Sequence, residues 1–198
     1  MWFFFEVETA THAAFFFVTR AGGSLSAEKL GQLLYLADRE SLILAGNTIT
    51  ESHFVNTTTG PALEEVSELL RGVRTDPIWT ASLRRNGDLI EAIGEVDFSD
   101  SMLSQFDLSI LDRIAYGHAS LDSKAMHQIF RSLPEWRTPW YGTLPLDPKD
   151  ILREAGLTEA EIQAYVELNA GPAALKMAVG RNRFRMNFAG RSSSRSSS

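Results

Sequence analysis

The chain has 198 residues, of which 44% are hydrophobic and 22% are charged. This length and composition predict one globular domain with a sizeable core. Because the chain contains no cysteine, disulfides, thiolate nucleophiles and Cys-ligated zinc are excluded, and a reducing compartment is favoured.

The N-terminus is rich in aromatic residues, yet it does not resemble a membrane-spanning or targeting segment. The longest wholly apolar run near the start, residues 13–18, is far shorter than the ~20 residues of a spanning helix. No basic region precedes the aromatic residues, and Glu6 and Glu8 follow them, which is the reverse of a signal peptide. We therefore expect a cytoplasmic protein that does not associate with membranes.

The net charge of −6 is unevenly distributed along the chain. Six basic residues and no acidic residue follow position 175, so the preceding part holds 13 basic against 25 acidic residues, a balance of −12. An acidic body repels nucleic acid phosphates, so nucleic acid binding is disfavoured. A basic protein partner suits this surface, although acidic residues kept for solubility explain it equally well.

Two helices are predicted first. One spans about residues 11–20 and ends at the Gly22-Gly23 pair. Ser26 is a candidate N-cap for the next, which runs to about Ala45 and ends at Gly46. This second helix is apolar on most sides, which predicts a central, buried position. Its expected core face consists of Leu30, Leu33, Leu34, Ala37, Ser41 and Leu44.

Strand-like stretches and one hairpin follow. Residues 47–56 contain short β-prone runs. Gly60 and Pro61 are expected to open a helix that ends at Gly72, because proline suits the first turn. Asn86-Gly87, between a run starting at Trp79 and residues 89–93, predicts a β-hairpin.

The chain from about residue 104 to 166 reads as helices. They are predicted over residues 106–116, around Met126, after the Asp147-Pro148 cap, and after the capping box that begins at Thr158. The fold class is therefore mainly α (α+β), a single helical domain with a small β-hairpin or short antiparallel sheet.

The C-terminus has a different composition. We assign residues 1–175 to the domain, 176–190 to a basic and aromatic segment, and 191–198 to a low-complexity Ser/Arg tail. If residues 176–190 formed a strand, it would be basic on one face and apolar on the other. It either docks on a partner or on a sheet edge of the same domain, or it is a disordered basic tail. The candidate docking residues are Arg181, Arg183, Phe184, Arg185 and Phe188.

Motifs of catalysis are not apparent. The four histidines have no metal-binding spacing, and there is neither a Gly-x-Ser-x-Gly elbow nor a phosphate-binding glycine loop. We therefore assign no catalytic, cofactor-binding or metal-binding residue and do not expect an enzyme. The remaining enzymatic alternative would use His127 with a nearby carboxylate.

Charged residues within the apolar second helix need partners, because an unpaired buried charge is costly. We expect Asp38 and Arg39 to make internal ion pairs or hydrogen bonds, and the alternative is that one of them emerges at a binding surface. His127 and Trp136 flank the turn at Pro134, where we expect a core histidine and a tryptophan that closes the core.

A series of short motifs follows one another along most of the chain. They are Lys29-Leu30 with LLYLADRESL at residues 33–42, Gly46, Gly60-Pro61 with its helix to Gly72, Leu111-Asp112, Tyr116-Gly117, His127, Pro134-Glu135-Trp136, Asp150-Ile151-Leu152, and Gly156 with the capping box after it. In this order the motifs resemble the Panacea domain, the SocA-like antitoxin family, over about residues 13–166. One departure is Thr59, which stands where members often carry His or Tyr before Gly-Pro, so this chain offers no ring for an interaction at that position.

The resemblance implies a mostly helical domain that neutralises a protein toxin encoded beside it, as the antitoxin of a type II toxin–antitoxin system in bacteria or their phages. Direct binding is the common mode in this family, and one branch instead delivers its toxin to a cytoplasmic protease as an adaptor. The motif residues are expected to be mainly structural, with partner binding as the alternative. They are Tyr35, Asp38, Arg39, Gly60, Pro61, His127 and Trp136.

Overall fold

A computed structural model describes residues 5–98, 101–118 and 120–169. The described helices are α1 (Val7–Arg20), α2 (Ala27–Ala45), α3 (Glu64–Arg71), α4 (Pro77–Ser82), α5 (Gln105–His118), α6 (Ser123–Ser132), α7 (Pro148–Glu154) and α8 (Glu159–Asn169). The described strands are β1 (Ser24–Ser26), β2 (Phe54–Asn56), β3 (Pro61–Leu63), β4 (Leu83–Asn86), β5 (Leu89–Ala92) and β6 (Leu144–Pro145). The predicted α+β class is confirmed.

Helix α2 lies at the centre, as its apolar pattern predicts. The Ser26 hydroxyl accepts a hydrogen bond from the Lys29 N–H at 3.3 Å, and Gly46 ends the helix in the left-handed conformation at φ 74°. The helix contacts α1, α3, α5, α6 and α7 as well as strands of both sheets. Leu44 is an error in the predicted core face: its side chain is 51% exposed, because the end of α2 buries Ser41 and Leu42 instead.

Two small antiparallel sheets flank this helix. One has the strand order β1-β5-β4 and contains the predicted Asn-Gly hairpin, with Gly87 at φ 62°. The other has the order β3-β2-β6. Of the predicted β-prone stretch 47–56, only β2 forms a strand. Residues from Pro77 to Ser82 are helical rather than extended, because the Asp76 carboxylate caps them by accepting from the Ile78 N–H at 2.8 Å.

The expectation that Gly60 and Pro61 open a helix is wrong. Pro61 is the first residue of β3, paired with Asn56 of β2, and α3 begins at Glu64. Proline is tolerated there because β3 is an edge strand, where a missing N–H breaks no ladder hydrogen bond. Gly117 also differs from its expected role, since α5 continues through it to His118.

The C-terminal helices follow the sequence signals closely. Asp147 caps α7 by accepting from the Lys149 N–H at 2.9 Å, and Thr158 and Glu161 form the capping box of α8. Helix α8 returns to the end of α2, where the Tyr165 hydroxyl donates to the Ile43 carbonyl at 3.4 Å. The predicted boundary at 175 and the segments after it lie outside the described residues. No helix of the described ranges is long and apolar enough to cross a membrane.

Candidate functional site

Asp38 joins α2 to the loop that follows it. The side chain is fully buried, and one carboxylate oxygen accepts from the N–H groups of Ile49 and Thr50 at 2.9 and 3.0 Å. The Thr50 hydroxyl donates to the second oxygen. Burial raises the pKa of the Asp38 carboxyl to about 7, although these three hydrogen bonds act in the opposite direction. The predicted internal hydrogen bonding of Asp38 is confirmed.

Arg39 and Tyr35 both bind the buried carboxylate of Glu135. Arg39 donates from Nε to Oε1 at 2.6 Å and from Nη2 to Oε2 at 3.2 Å, while the Tyr35 hydroxyl donates to Oε1 at 2.8 Å. Glu135 is only 1% exposed. Burial, with the Glu135 carboxylate beside it, raises the pKa of the Tyr35 phenol well above its usual value. The predicted internal ion pair of Arg39 is thus confirmed.

The turn that carries Glu135 also holds the hairpin of β2 and β3. Trp136 donates from its indole N–H to the Thr57 carbonyl at 3.1 Å, and the Arg137 N–H donates to the Asn56 side chain at 3.2 Å. Trp136 is half-buried rather than fully enclosed. This turn therefore links α2, which supplies the partners of Glu135, to the β2–β3 hairpin.

Gly60 brings the same hairpin against α6. Its φ is +150°, a conformation that side chains rarely adopt, and an added Cβ would lie 3.1 Å from two Phe130 side-chain atoms. The Phe130 ring in turn packs on the Tyr35 ring, with 5.5 Å between the centroids. Five predicted motif residues, Tyr35, Arg39, Gly60, Pro61 and Trp136, thus converge on one framework around the hairpin.

His127 does not lie in the core, contrary to prediction. Its side chain is 36% exposed, and Nε2 lies 2.7 Å from a Glu28 carboxylate oxygen whose side chain is 55% exposed. Met126 and Phe130 form the buried face of α6, so His127, one position after Met126, is turned toward the surface. Glu28 is the nearby carboxylate that the enzymatic alternative requires, but both groups belong to a surface pair on α6 and α2.

A cleft of about 520 Å³ opens between the start of α2, the β2–β3 hairpin and α3. Gly60 and Pro61 form part of its wall, and its apolar lining includes Val55, Leu70 and Phe130. We call it the acidic cleft, since its charged lining residues are Glu28, Glu64, Glu68 and Arg71. Sequence reasoning missed it because its walls come from four separate elements.

A loop beside the cleft carries two exposed aromatic side chains. Trp140 and Tyr141 are 103% and 91% exposed, and we call residues 138–143 the aromatic loop. Both ends of the loop are held: Arg137 donates to the Pro134 carbonyl and to Glu154, and β6 pairs with β2 directly after the loop. Thr143, at its end, lines the acidic cleft. The available sequence signal was an aromatic pair between turn residues, outside any periodic segment.

The remaining predicted site residues, Arg181, Arg183, Phe184, Arg185 and Phe188, lie outside the described residues. Within the described ranges, no cluster of three or more His, Asp or Glu is placed to hold a metal ion.

Comparison with known proteins identifies the family. The model of the family described as antitoxin SocA-like, Panacea domain, matches residues 30–137, more than half of the chain. The matched range runs from α2 to the turn after Trp136 and ends just before the aromatic loop. The comparisons with curated proteins and with solved structures found no match. The chain belongs to the SocA-like antitoxin family and carries its Panacea domain.

Proposed function

We propose that this chain is the antitoxin of a type II system, that it acts in the cytoplasm, and that it neutralises its cognate protein toxin by direct binding through the aromatic loop. Membership of the family supports an antitoxin role in general, implies a toxin partner and favours a non-enzymatic function. The proposal goes further in naming the mode of neutralisation and the surface that performs it.

The exposure of Trp140 and Tyr141 is the observation that carries this proposal. Both side chains are more than 90% exposed, although burying an aromatic side chain of this size is strongly favourable. Tryptophan and tyrosine are the residue types most enriched among those that dominate binding energy at protein interfaces. Two exposed rings next to each other in the chain are suited to an apolar pocket on the toxin.

The anchoring of the loop adds to this argument. Before the rings, Arg137 donates hydrogen bonds to the Pro134 carbonyl and to Glu154, and Pro139 is buried. After the rings, β6 pairs with β2. A recognition loop that is already held in place loses less conformational entropy on binding. The aromatic side chains themselves contribute a large contact area with few rotatable bonds.

The acidic body supports a basic partner. Residues before position 176 carry a net charge of −12, and three of the four charged residues that line the cleft beside the loop are acidic. Complementary charge accelerates encounter with a basic toxin and disfavours nucleic acid.

Co-expression with the product of the adjacent gene tests the proposal. We expect that product to be toxic alone, to be neutralised by this chain, and to escape neutralisation by the Trp140→Ala/Tyr141→Ala double variant. The matched control is Tyr116→Ala, which removes a tyrosine that is 93% exposed on α5. An adjacent product that is harmless alone, or that this chain fails to neutralise, would refute the antitoxin role for that pair.

The half-life of the toxin separates direct binding from delivery to a cytoplasmic protease. Direct neutralisation predicts an unchanged toxin half-life in protease-proficient cells that contain the antitoxin. A shortened toxin half-life would contradict direct blocking and support the adaptor role.

A further inference from the structure

The acidic cleft combines an apolar lining with two carboxylates, Glu64 and Glu68, that have no side-chain partner among the described residues. Glu64 and Glu68 line the cleft, and within the described part of the chain neither side-chain carboxylate accepts a hydrogen bond or forms an ion pair. Arg71 is the one cation in the cleft lining that the structure describes. The floor includes Val55 and Leu70, which are apolar. The cleft therefore suits an occupant that is both basic and apolar.

The chain itself contains a segment of this composition. Residues 176–190 hold four basic residues and no acidic one, and Phe184, Met186 and Phe188 alternate with polar or basic residues. An extended segment of this kind presents its basic and its apolar side chains on opposite faces. Such a segment can place apolar side chains on the cleft floor while arginines meet the carboxylates at the rim.

The length of the chain allows this segment to reach the cleft. Helix α8 is held at the end of α2, where an added Cβ on Gly46 would lie 2.8 Å from the Tyr165 ring. The cleft lies at the start of α2, around Gly31 and Gln32, about 21 Å away along the helix axis. Arg181 follows Asn169 by 12 residues, a length that spans up to about 40 Å when extended.

We propose that the acidic cleft binds residues 176–190 of the same chain, with arginines paired to Glu64 and Glu68. The proposal concerns the free protein and does not depend on toxin binding by the aromatic loop. It places the basic segment of the chain against its acidic body, where it covers the cleft next to that loop.

Disulfide trapping in the full chain tests the proposal cleanly, because the protein has no cysteine of its own. One variant combines Thr58→Cys, at the exposed rim of the cleft, with Asn182→Cys. The control combines Asn182→Cys with Tyr116→Cys, an exposed and uncharged position on α5 that does not line the cleft. Both pairs share the same tethered segment, so a difference in trapping rate reports docking rather than random encounter.

We expect the cleft pair to form its disulfide about tenfold faster than the control pair with Tyr116→Cys, a ratio that the two charge pairs can supply. Adding Glu64→Gln and Glu68→Gln should remove most of this difference, while Glu95→Gln, an exposed acid outside the cleft, should leave it unchanged. Gln retains the shape of Glu, so folding is preserved. Equal rates for the two pairs, or a difference that survives both Gln substitutions, would overturn the proposal. All of these rates are measured without toxin, so their outcome is independent of the test of the antitoxin role.

Discussion

Glu135 and Trp140 are five positions apart and illustrate two kinds of residue in this protein. Glu135 is 1% exposed and accepts hydrogen bonds from Arg39 and Tyr35, which come from a helix about 100 residues earlier in the chain. Trp140 is fully exposed and lies beyond the stretch that matches the family. The comparison indicates that the family motifs around Glu135 build the framework, and under the proposed function the loop just beyond the matched range contacts the toxin.

Removing Glu135 should have the largest effect on stability. The Glu135→Ala variant leaves the Arg39 guanidinium, whose side chain is 20% exposed, and the Tyr35 hydroxyl without their acceptor. Loss of one member of a buried pair costs about 3–5 kcal/mol, which denaturant unfolding measures directly. The exposed Glu95→Ala control should change the free energy of unfolding by less than about 0.5 kcal/mol. If Glu135→Ala changed the free energy of unfolding as little as this control, the hydrogen bonds of Glu135 would not stabilise the fold.

The pH dependence of stability should report Asp38. Its pKa is about 7 when folded against 3.8 for the free group, so the folded state holds this proton more tightly than the unfolded state. The associated stabilisation is complete below about pH 4 and is lost as the pH rises through 7, a change of about 4 kcal/mol. The Asp38→Asn variant does not titrate at this position. Its stability relative to the wild type should therefore improve as the pH rises from 4 to 8, and a constant difference would contradict the raised pKa.

A smaller effect is expected at Gly60. The Gly60→Ala variant places a methyl group 3.1 Å from Phe130 at a backbone conformation unfavourable to side chains, which costs about 1–3 kcal/mol. Gly117→Ala is the matched control, since nothing lies within 4 Å of its added Cβ and α5 is helical there. Alanine should stabilise that helix by up to about 1 kcal/mol. Thermal unfolding measures both effects. Equal shifts of the unfolding midpoint for Gly60→Ala and Gly117→Ala would contradict a special structural role for Gly60.

The parts of the fold that follow from local sequence could be predicted. Ser26, Gly46 and the Thr158 capping box set helix ends through neighbours within a few residues, and the Asn86-Gly87 turn sets its hairpin in the same way. Pro61 could not be placed, because its strand forms only by pairing with β2. Pairing with β2 therefore determines the conformation of this segment, and the local preference of Gly-Pro for a helix start does not.

The site was less predictable for the same physical reason. Internal partners for Asp38 and Arg39 follow from the cost of an unpaired buried charge, but the choice of Glu135 among many acids depends on a contact 96 residues away in the chain. His127 was misplaced because its helix buries Met126 and Phe130 instead. Trp140 and Tyr141 lie in an irregular segment, where no periodicity distinguishes an exposed aromatic residue from a buried one.

The dissociation constant of the purified antitoxin and its toxin tests the division between framework and loop most directly. By calorimetry, the Trp140→Ala/Tyr141→Ala variant should bind at least about 30-fold more weakly than the wild type, equivalent to about 2 kcal/mol, because the proposed function assigns the main contact to these rings. Its free energy of unfolding should change by less than about 0.5 kcal/mol, since neither side chain is buried. The Tyr116→Ala control should retain wild-type affinity. An unchanged dissociation constant for the double variant would contradict the account.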